Sequence, residues 1–505
     1  MLSVHDSSRW PSCPAPFNLA AHVLRRAGDL ADKSALQILR PNGAERWSYS
    51  RLQAAVQGAA TGLLGLALQP GDRILIRLGN TVEFPILFLG AITAGLIPVP
   101  TSAALTGPEI TKLAGLVQPR LIVAADEIAL PDPLPCPVLS AAELRAMESL
   151  PPTAYVLGDP DRPAYIIFTS GTSGRPQGVV HAHRAIWARG MMHQGWEGLT
   201  EADRLLHAGA FNWTYTLGTG LMDPWTCGAT ALIPGTGVTP AQLPLLMKRF
   251  DVTILASAPG VFRQMLRAPI PALPRLRHAL SAGEKLPDPL RAAWHQATGT
   301  QMHEALGMSE LSTFISGAPD RPAPPGATGY PQDGRRVAVL GADGLPVPRG
   351  TPGVLAVAAD DPGLMLGYLD APEATAARRQ GDWFLTGDSA SMAEDGAITY
   401  LGRDDDMMNP GGFRVSPLEV EAALSPLIPD CAVCEVEVSP GTRIIACFYT
   451  APAALPRETL QAQAKASLAR WKQPRHWQRV EVLPRNANNK LNRRALPALF
   501  EREAP

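Results

Sequence analysis

Between residue 72 and about residue 310, short apolar runs alternate with amphipathic segments of helix length. Short apolar runs are typical of buried strands, and apolar positions repeating every three to four residues are typical of helices that cover a sheet. This alternation predicts βαβ units with mostly parallel sheets, which is an α/β fold. The predicted strands lie at residues 74–78, 121–124, 229–233, 253–256 and 278–281.

The longest apolar stretch covers residues 84–100, where Pro85 and Pro98 bracket the apolar core. The stretch between them is shorter than the ~20 residues that a membrane-spanning helix needs. It therefore predicts a buried helix followed by a strand, and no membrane span.

The pattern changes after residue 334. Residues 335–359 indicate a strand, a turn and a strand, which predicts a small β-rich lobe. Three aspartates at 404–406 and the Pro-Gly-Gly run at 410–412 come next, and a helix is expected to begin at Ser416. Such a stretch suits a hinge. We therefore predict an N-terminal domain over 1–403 and a small, mobile α+β domain over 404–505, with strands at 431–438 and 443–450 and a helix at 457–470.

Residues 165–184, YIIFTSGTSGRPQGVVHAHR, join an apolar run to a loop rich in glycine and hydroxyl side chains. Residues 165–168 are apolar at every position, which favours a strand buried in a parallel sheet. The loop can present backbone N–H groups and hydroxyls to an oxyanion, as phosphate-binding loops do, although an ordinary polar turn has the same composition. It is not a Walker A loop, because no lysine follows Gly174. The candidate residues are Thr169, Ser170, Gly171, Thr172, Ser173 and Gly174.

The composition narrows the classes of partner. A chain of 505 residues exceeds one ordinary core, so two or more domains are expected. The 45 Lys plus Arg balance 46 Asp plus Glu, with no basic stripe, which disfavours a nucleic-acid partner. Six cysteines without regular spacing fit a reducing, cytoplasmic compartment. Cys431 and Cys434 form a lone CxxC, which favours buried thiols over a metal site.

Six motifs in order resemble the adenylate-forming superfamily of acyl-CoA synthetases, peptide-synthetase adenylation domains and luciferases. They are TSGTSGRPQGV at 169–179, SAGEKLP at 281–287, EALGMSE at 304–310, WFLTGD at 383–388, GRDDDMMNPGGFRVSPLEVE at 402–421 and LPRNANNKLNRRAL at 483–496. The resemblance implies an AMP-forming ligase that uses ATP, Mg²⁺ and coenzyme A. A carboxylate would react with ATP to give an acyl-adenylate, which a thiol then attacks.

The resemblance also assigns roles to residues. Glu310 would hold Mg²⁺, as a hard carboxylate suits that ion. Lys490 matches the lysine that neutralises the oxyanions during adenylation. With Thr169, these two are the candidate catalytic residues. Asp405 aligns with the hinge residue of the mobile domain. The further cofactor-binding candidates are Gly283 and Glu284 beside the adenine, Ser309 beside Glu310, Asp388 at the ribose, Arg403, which would assist Asp388 or contact the phosphates, Gly412 near CoA, and Arg414 at phosphate.

Three positions depart from the family pattern. Gln177 stands where the phosphate loop usually has lysine, Asn409 replaces another frequent lysine, and Asn489 replaces the glycine before the catalytic lysine. Leu306 also stands where many relatives have tyrosine. The changes at Gln177, Asn409 and Asn489 keep open the alternative of a nucleotide-binding pseudoenzyme. An adenylating enzyme that loads a carrier protein is a second alternative, which differs from a CoA ligase in whether free CoA supports turnover.

Residues 207–233 correspond to the variable acyl-pocket segment of the family. Its tryptophan and its "PW" pair look most like those of medium-chain and short-chain acyl-CoA synthetases, and benzoate-type ligases share the layout. The expected substrate is a small or medium apolar aliphatic or aromatic acid, and the expected assembly is a monomer or homodimer. The candidate pocket wall consists of His207, Phe211, Trp213, Leu306 and Met308.

Overall fold

The computed structural model describes residues 1–500 except 8, 170–175, 404–405, 409–414, 440–441 and 486–489. The chain forms two compact units. The larger unit comprises residues 5–336 and 357–384, and the smaller unit comprises residues 1–4, 337–356 and 385–505.

The described strands, in chain order, are β1 (Val4–Asp6), β2 (Ser34–Arg40), β3 (Gly43–Ser48), β4 (Arg73–Arg77), β5 (Ile97–Pro100), β6 (Leu121–Ala124), β7 (Val138–Ser140), β8 (Pro163–Thr169), β9 (Gln177–Ala182), β10 (Arg204–His207), β11 (Thr230–Pro234), β12 (Ile254–Ser257), β13 (His278–Ala282), β14 (Gln301–Met308), β15 (Ser312–Ser316), β16 (Tyr330–Pro331), β17 (Arg336–Leu340), β18 (Gly353–Ala358), β19 (Gly367–Tyr368), β20 (Arg379–Gln380), β21 (Trp383–Met392), β22 (Ile398–Arg403), β23 (Cys431–Ser439), β24 (Thr442–Tyr449) and β25 (His476–Arg479).

The described α-helices are α1 (Leu19–Val23), α2 (Tyr49–Gly65), α3 (Glu83–Thr93), α4 (Gly107–Val117), α5 (Ala141–Met147), α6 (Ala185–Ala188), α7 (Gly190–Met192), α8 (Asp223–Cys227), α9 (Leu243–Arg249), α10 (Pro259–Met265), α11 (Asp288–Thr298), α12 (Pro372–Ala376), α13 (Pro417–Leu424) and α14 (Arg457–Ser467). Two π-helical segments, His193–Glu197 and Thr216–Met222, and short 3₁₀ turns add to these.

The larger unit contains a sheet of nine strands in the order β16-β15-β14-β13-β12-β10-β11-β2-β3. The six strands from β14 to β2 pair in parallel. A second, four-stranded sheet in the order β5-β4-β6-β7 is parallel throughout. Helices connect these strands, so the predicted α/β fold class is confirmed, and each strand predicted between residues 74 and 281 is present.

The prediction of a parallel sheet around residues 165–168 is wrong. Strand β8 pairs antiparallel with β9, and β9 pairs antiparallel with β19. The strand is apolar on both faces because it separates two hydrophobic clusters. Tyr165 and Ile167 pack into the cluster around helices α2 and α3, whereas Ile166 and Phe168 face the cluster around the four-stranded sheet. Burial on both faces therefore does not distinguish a parallel strand from an antiparallel hairpin between two cores.

The smaller unit contains strands β17, β18, β21 and β22 of one sheet and the three-stranded sheet β23-β24-β25. Helix α13 begins at Ser416, whose side chain accepts a hydrogen bond from the backbone N–H of Glu419, as a helix N-cap should. Cys431 and Cys434 lie three apart on β23 and pack into different clusters, so they do not form a common ligand pair. The domain boundary near residue 404 and the mobility of the C-terminal domain stay predictions.

Candidate functional site

Parallel pairing brings several predicted residues to one edge of the nine-stranded sheet. His207 at the end of β10 is opposite Ala256 of β12, and Ala282 at the end of β13 is opposite Ala305 of β14. Carboxyl ends of parallel strands are the usual ligand-binding edge of an α/β sheet. The residues that come after β13 and β14, among them Gly283, Glu284 and Ser309, therefore leave the sheet at this edge.

Gly283 adopts a φ of 94°, a left-handed conformation that glycine reaches without strain. The chain can therefore turn sharply directly after strand β13. The carboxylate of the next residue, Glu284, lies 3.7 Å from the guanidinium of Arg263. The predicted adenine-binding segment is thus a tight turn at the sheet edge.

Glu310 lies in the turn between the antiparallel strands β14 and β15. Its backbone carbonyl accepts a hydrogen bond of 2.8 Å from the N–H of Met365. Its carboxylate Oε1 accepts a hydrogen bond of 2.7 Å from the hydroxyl of Tyr368. Burial, and then the nearby Glu310 carboxylate, raises the pKa of Tyr368 above its ordinary value, so the phenol stays protonated and can donate. The carboxylate that we predict to bind a metal is therefore held in one orientation.

This arrangement fits a divalent cation. A half-buried carboxylate that accepts one side-chain hydrogen bond from the described residues keeps further lone pairs for a hard ion such as Mg²⁺. Tyr368 was not predicted from the sequence, since it lies 58 residues from Glu310 and no motif indicates the pairing.

Ser309 contacts His181 through its backbone carbonyl rather than through its hydroxyl. Its carbonyl oxygen lies 2.8 Å from Nε2 of His181, whose ring stacks on Tyr165 at a centroid distance of 4.7 Å. Burial lowers the pKa of His181 to about 4, so the ring is neutral near pH 7. His181 thus links strand β9 to the turn that carries Glu310.

The predicted phosphate loop is bracketed by a described pair of residues. Thr169 at the end of β8 is opposite Gln177 at the start of β9. Both are half-buried. The other loop candidates, namely Ser170, Gly171, Thr172, Ser173 and Gly174, lie outside the described residues.

The five predicted acyl-pocket residues differ in exposure. His207 and Phe211 are buried at 0% and 1% exposure, while Trp213, Leu306 and Met308 are half-buried. The Trp213 ring meets His207 and Tyr215 edge to face, at centroid distances of 6.4 and 5.1 Å. Burial lowers the pKa of His207 to about 3. Trp213 is thus supported by an aromatic cluster and keeps a partly open surface.

A buried ion pair joins Arg189 to Asp223, which belongs to the acyl-pocket segment 207–233. This pair was not predicted from the sequence. Arg189 binds Asp223 through both Nε, at 2.8 Å, and Nη2. The two side chains are 8% and 0% exposed. Burial alone would raise the pKa of Asp223, but Arg189 holds it far below its ordinary range. The pair is therefore charged.

One sequence feature hints at this pair. Gly218 lies in a π-helical segment, and a Cβ added there would come within 2.2 Å of Nη2 of Arg189. Glycine is costly in helices unless another group must approach the backbone closely. The glycine at 218, within the TLGTGL run at 216–221, was thus the sequence signal for this pair.

Three side chains, one of which is Asp223, resemble a metal site. His193, Glu197 and Asp223 each place one potential ligand atom within 4.8 Å of the others. The Arg189 guanidinium already neutralises Asp223, so a further cation there would be repelled. We therefore assign no metal to this group.

In the smaller unit, the predicted ribose-site residues meet across strands β21 and β22. Asp388 and Arg403 are directly opposite in the sheet, and Nη1 of Arg403 lies 3.3 Å from Oδ1 of Asp388. Asp388 is buried, with 4% exposure. Nearby, burial and then the Asp388 carboxylate raise the pKa of Tyr400. The structure thus joins two residues that the sequence assigned to one ligand.

Lys490 belongs to the described residues and its side chain is half-buried. The next residue, Leu491, forms an isolated antiparallel β-bridge with Arg485. The predicted hinge residue Asp405 and the predicted CoA and phosphate contacts Gly412 and Arg414 lie outside the described residues. So do Asn409 and Asn489. The roles of all these residues stay predictions.

Among the described residues, no helix combines the length and apolarity needed to cross a lipid bilayer.

Known proteins resemble this chain along most of its length. The benzoate–CoA ligase of Thauera aromatica is 29% identical over 97% of this chain and 98% of its own. The human mitochondrial acyl-coenzyme A synthetase ACSM2A is 28% identical over 96% of this chain and 91% of its own. The crystal structure of a benzoate CoA ligase from Burkholderia xenovorans LB400 superposes with a TM-score of 0.86 and 27% identity, covering 95% of this chain and 100% of the other.

The family model for AMP-binding enzymes matches residues 23–369, well over half of the chain. That range contains the loop after β8, the turn after β13 and the Glu310 turn. The predicted resemblance and the prediction of an enzyme are therefore confirmed, and the chain belongs to the AMP-binding enzyme family.

Proposed function

We propose that this protein is an acid–CoA ligase. It would activate a carboxylic acid with Mg·ATP to give an acyl-adenylate and pyrophosphate, and then transfer the acyl group to coenzyme A with release of AMP. The observation that carries this proposal is the Glu310 carboxylate, oriented by Tyr368 at the carboxyl edge of the parallel strands. The two ligase relatives and the family membership support it.

In the first half-reaction, a negative carboxylate must approach a negative phosphate. Glu310 would hold Mg²⁺ against the phosphate oxygens, and the N–H groups and hydroxyls of the loop after Thr169 would bind the terminal phosphates. Lys490 would neutralise the oxygens that share charge in the transition state. Asp388, positioned by Arg403, would accept hydrogen bonds from the ribose hydroxyls.

In the second half-reaction, the thiol of coenzyme A attacks the carbonyl carbon of the acyl-adenylate, and the bond from that carbon to the phosphate oxygen breaks. We propose that residues 404–505 reorient about Asp405 between the two steps, which would place Gly412 near CoA and Arg414 near phosphate. The acyl group is proposed to be a small or medium apolar aliphatic or aromatic acid, bounded by Trp213, Leu306 and Met308.

A panel of aliphatic and aromatic acids, assayed for AMP release with ATP, Mg²⁺ and CoA, tests the proposal. At least one acid should give AMP release that requires both the acid and CoA, and Glu310→Gln should abolish it. Glu201→Gln, which changes a surface glutamate paired with Arg26, is the matched control and should be fully active.

The two alternatives give different results in the same assay. Acid-dependent exchange of ATP with pyrophosphate, without CoA-dependent turnover, would favour a carrier-protein-loading enzyme. Nucleotide binding without exchange for any acid would favour a pseudoenzyme.

A further inference from the structure

A small cavity of about 20 Å³ lies next to the predicted acyl site, and its wall includes His181, Arg189, Ser309 and Ser312. Ser309 directly precedes Glu310, and Thr214, also in the wall, directly follows Trp213. A cavity of this size holds one group as large as a water molecule. It therefore suits a single small substituent of a bound molecule.

His181 supplies a buried hydrogen-bond acceptor that no described residue satisfies. Its Nε2 faces the carbonyl oxygen of Ser309, which can only accept, so the ring hydrogen is on Nε2. In a neutral imidazole the other nitrogen then carries a lone pair. That nitrogen, Nδ1, is buried and has no hydrogen-bond partner among the described residues, and His181 itself is 3% exposed. An unsatisfied buried acceptor is costly unless a ligand or water completes it.

Arg189 supplies a donor. Nε donates to Asp223, and Nη2 donates one hydrogen to Asp223 and the other to the hydroxyl of Thr219, at 3.2 Å. Nη1 donates to the hydroxyl of Ser312. Of the five guanidinium hydrogens, this leaves one on Nη1 without an acceptor among the described residues.

The charges around the cavity favour a neutral group. Asp223 balances the charge of Arg189, and His181 presents a lone pair rather than a proton. A carboxylate bound in the cavity would be repelled by the lone pair on Nδ1 of His181. It would also gain little from Arg189, because Asp223 already compensates the charge of that guanidinium. A hydroxyl is suited on both sides, because it can donate to Nδ1 of His181 and accept from Nη1 of Arg189.

The backbone around the cavity is unusual in two ways. Ser312 has a φ of 82°, which is uncommon for a residue with a side chain. Leu217 and Met222, also in the wall, belong to a π-helical segment. Strained backbone and π-helical turns occur preferentially at functional sites.

We propose that this cavity binds the hydroxyl group of a hydroxy-substituted carboxylic acid, which donates to Nδ1 of His181 and accepts from Nη1 of Arg189. The inference rests on the proposed acid–CoA ligase function and specifies its substrate class. His181 and Arg189 are specificity-determining residues in this role.

Matched pairs of acids that differ by one hydroxyl test the proposal. Benzoate is compared with 3-hydroxybenzoate and 4-hydroxybenzoate, and hexanoate with 6-hydroxyhexanoate, by kcat/KM for CoA-dependent AMP release. At least one hydroxy acid should be preferred about 10- to 100-fold, as expected for two hydrogen bonds to buried partners. The methyl ether of that acid should lose the preference, because it cannot donate to His181 and its methyl group exceeds the cavity.

Two substitutions of the same histidine separate its two nitrogens. His181→Gln places an amide N–H near the Nε2 position and removes the Nδ1 acceptor, so the preference for the hydroxy acid should fall to about one. His181→Asn keeps an acceptor near Nδ1 and should retain a clear preference. His278→Gln is the matched control, because His278 is also 3% exposed and its Nε2 lies 2.8 Å from a backbone carbonyl, that of Glu197. In His278→Gln, the ratio of kcat/KM for the hydroxy acid to kcat/KM for the matched acid without the hydroxyl should equal that of the unsubstituted protein.

The outcomes distinguish this inference from the proposed function. If no acid supports CoA-dependent AMP release, the proposed function is wrong and the inference falls with it. If acids are turned over but no hydroxy acid is preferred, the cavity holds water only and the inference alone is wrong. A preference that persists in His181→Gln would also overturn it.

Discussion

The hydroxyl of Tyr368 donates a hydrogen bond of 2.7 Å to the Oε1 of Glu310, the carboxylate that we propose to bind Mg²⁺. The donor belongs to strand β19, which pairs with β9, the strand directly after the predicted phosphate loop. Tyr368 therefore connects the turn that carries Glu310 to the β8–β9 hairpin that brackets the predicted loop. This makes it a positioning residue for the proposed adenylation step.

We expect Tyr368→Phe to raise the apparent KM for Mg·ATP without unfolding the protein. A hydrogen bond to a charged group contributes about 1.5–3 kcal/mol, so the apparent KM for Mg·ATP should rise about tenfold or more. Titration of the initial rate with Mg·ATP measures this. Tyr155→Phe, which removes a hydroxyl that accepts a hydrogen bond from Gln53, is the control and should leave KM unchanged. An equal KM in both variants would show that Tyr368 does not orient the carboxylate.

Lys490→Ala should separate the two half-reactions. In adenylation, loss of one well-placed donor costs on the order of 10²–10³ in rate, and loss of a cation costs more. Acid-dependent ATP–pyrophosphate exchange should therefore fall at least this far. Supplied acyl-adenylate plus CoA should still give thioester, because the acyl-adenylate is already made and no carboxylate anion has to approach a negative phosphate in that step.

The control for Lys490 is Lys472→Ala, which removes a lysine that pairs with Glu419 in the same unit. It should retain both half-reactions. A parallel loss of both activities in Lys490→Ala, or of neither, contradicts the proposed role.

Trp213→Ala should widen the acyl pocket. The ring is half-buried and packs edge to face on His207 and Tyr215, so its removal opens space beside a rigid aromatic wall. The ranking of acids by kcat/KM should shift toward longer or bulkier members. Trp187→Ala, at another half-buried tryptophan of the larger unit, should keep the original ranking. An unchanged ranking in a folded Trp213→Ala variant would assign Trp213 to the core.

Glu197→Gln should stabilise the protein increasingly as the pH rises. Burial, and then the Asp223 carboxylate, raises the pKa of Glu197 well above its ordinary 4.5. Below pH 4.5 both the folded and the unfolded states carry the proton. Above it the unfolded state loses the proton first, so Glu197 lowers the free energy of unfolding by up to about 1.4 kcal/mol per pH unit until the folded-state pKa is reached.

Glutamine is neutral at every pH and removes this dependence. Unfolding by urea at pH 4.5 and at pH 7.5 measures it, and the gain in Glu197→Gln should appear mainly at the higher pH. Glu201→Gln is the control of opposite sign, because a hydrogen bond from Arg26 lowers the pKa of Glu201. A gain in Glu197→Gln that does not grow with pH would show that Glu197 is ionised in the folded protein.

The sequence by itself determined the features that depend on neighbouring residues. The alternation of apolar runs predicted strands in both large sheets, namely β4, β6, β11, β12 and β13, since each buried strand must be apolar over its own length. Ser416 predicted the start of helix α13, because an N-cap acts on an N–H only three residues away. The family resemblance of the motifs assigned Gly283, Glu284 and Glu310 to one nucleotide site, and the structure places them after the neighbouring parallel strands β13 and β14.

Only the tertiary structure decided which distant side chains meet. Strand β8 is apolar on both faces because two hydrophobic clusters enclose it, and this composition would be the same in a parallel or an antiparallel pairing, so only the tertiary structure shows that β8 pairs antiparallel with β9. Arg189 and Asp223 lie 34 residues apart, and Glu310 and Tyr368 lie 58 apart. Such pairs depend on how whole elements pack, and a lone arginine or tyrosine in a sequence carries no signal of the partner that packing will give it.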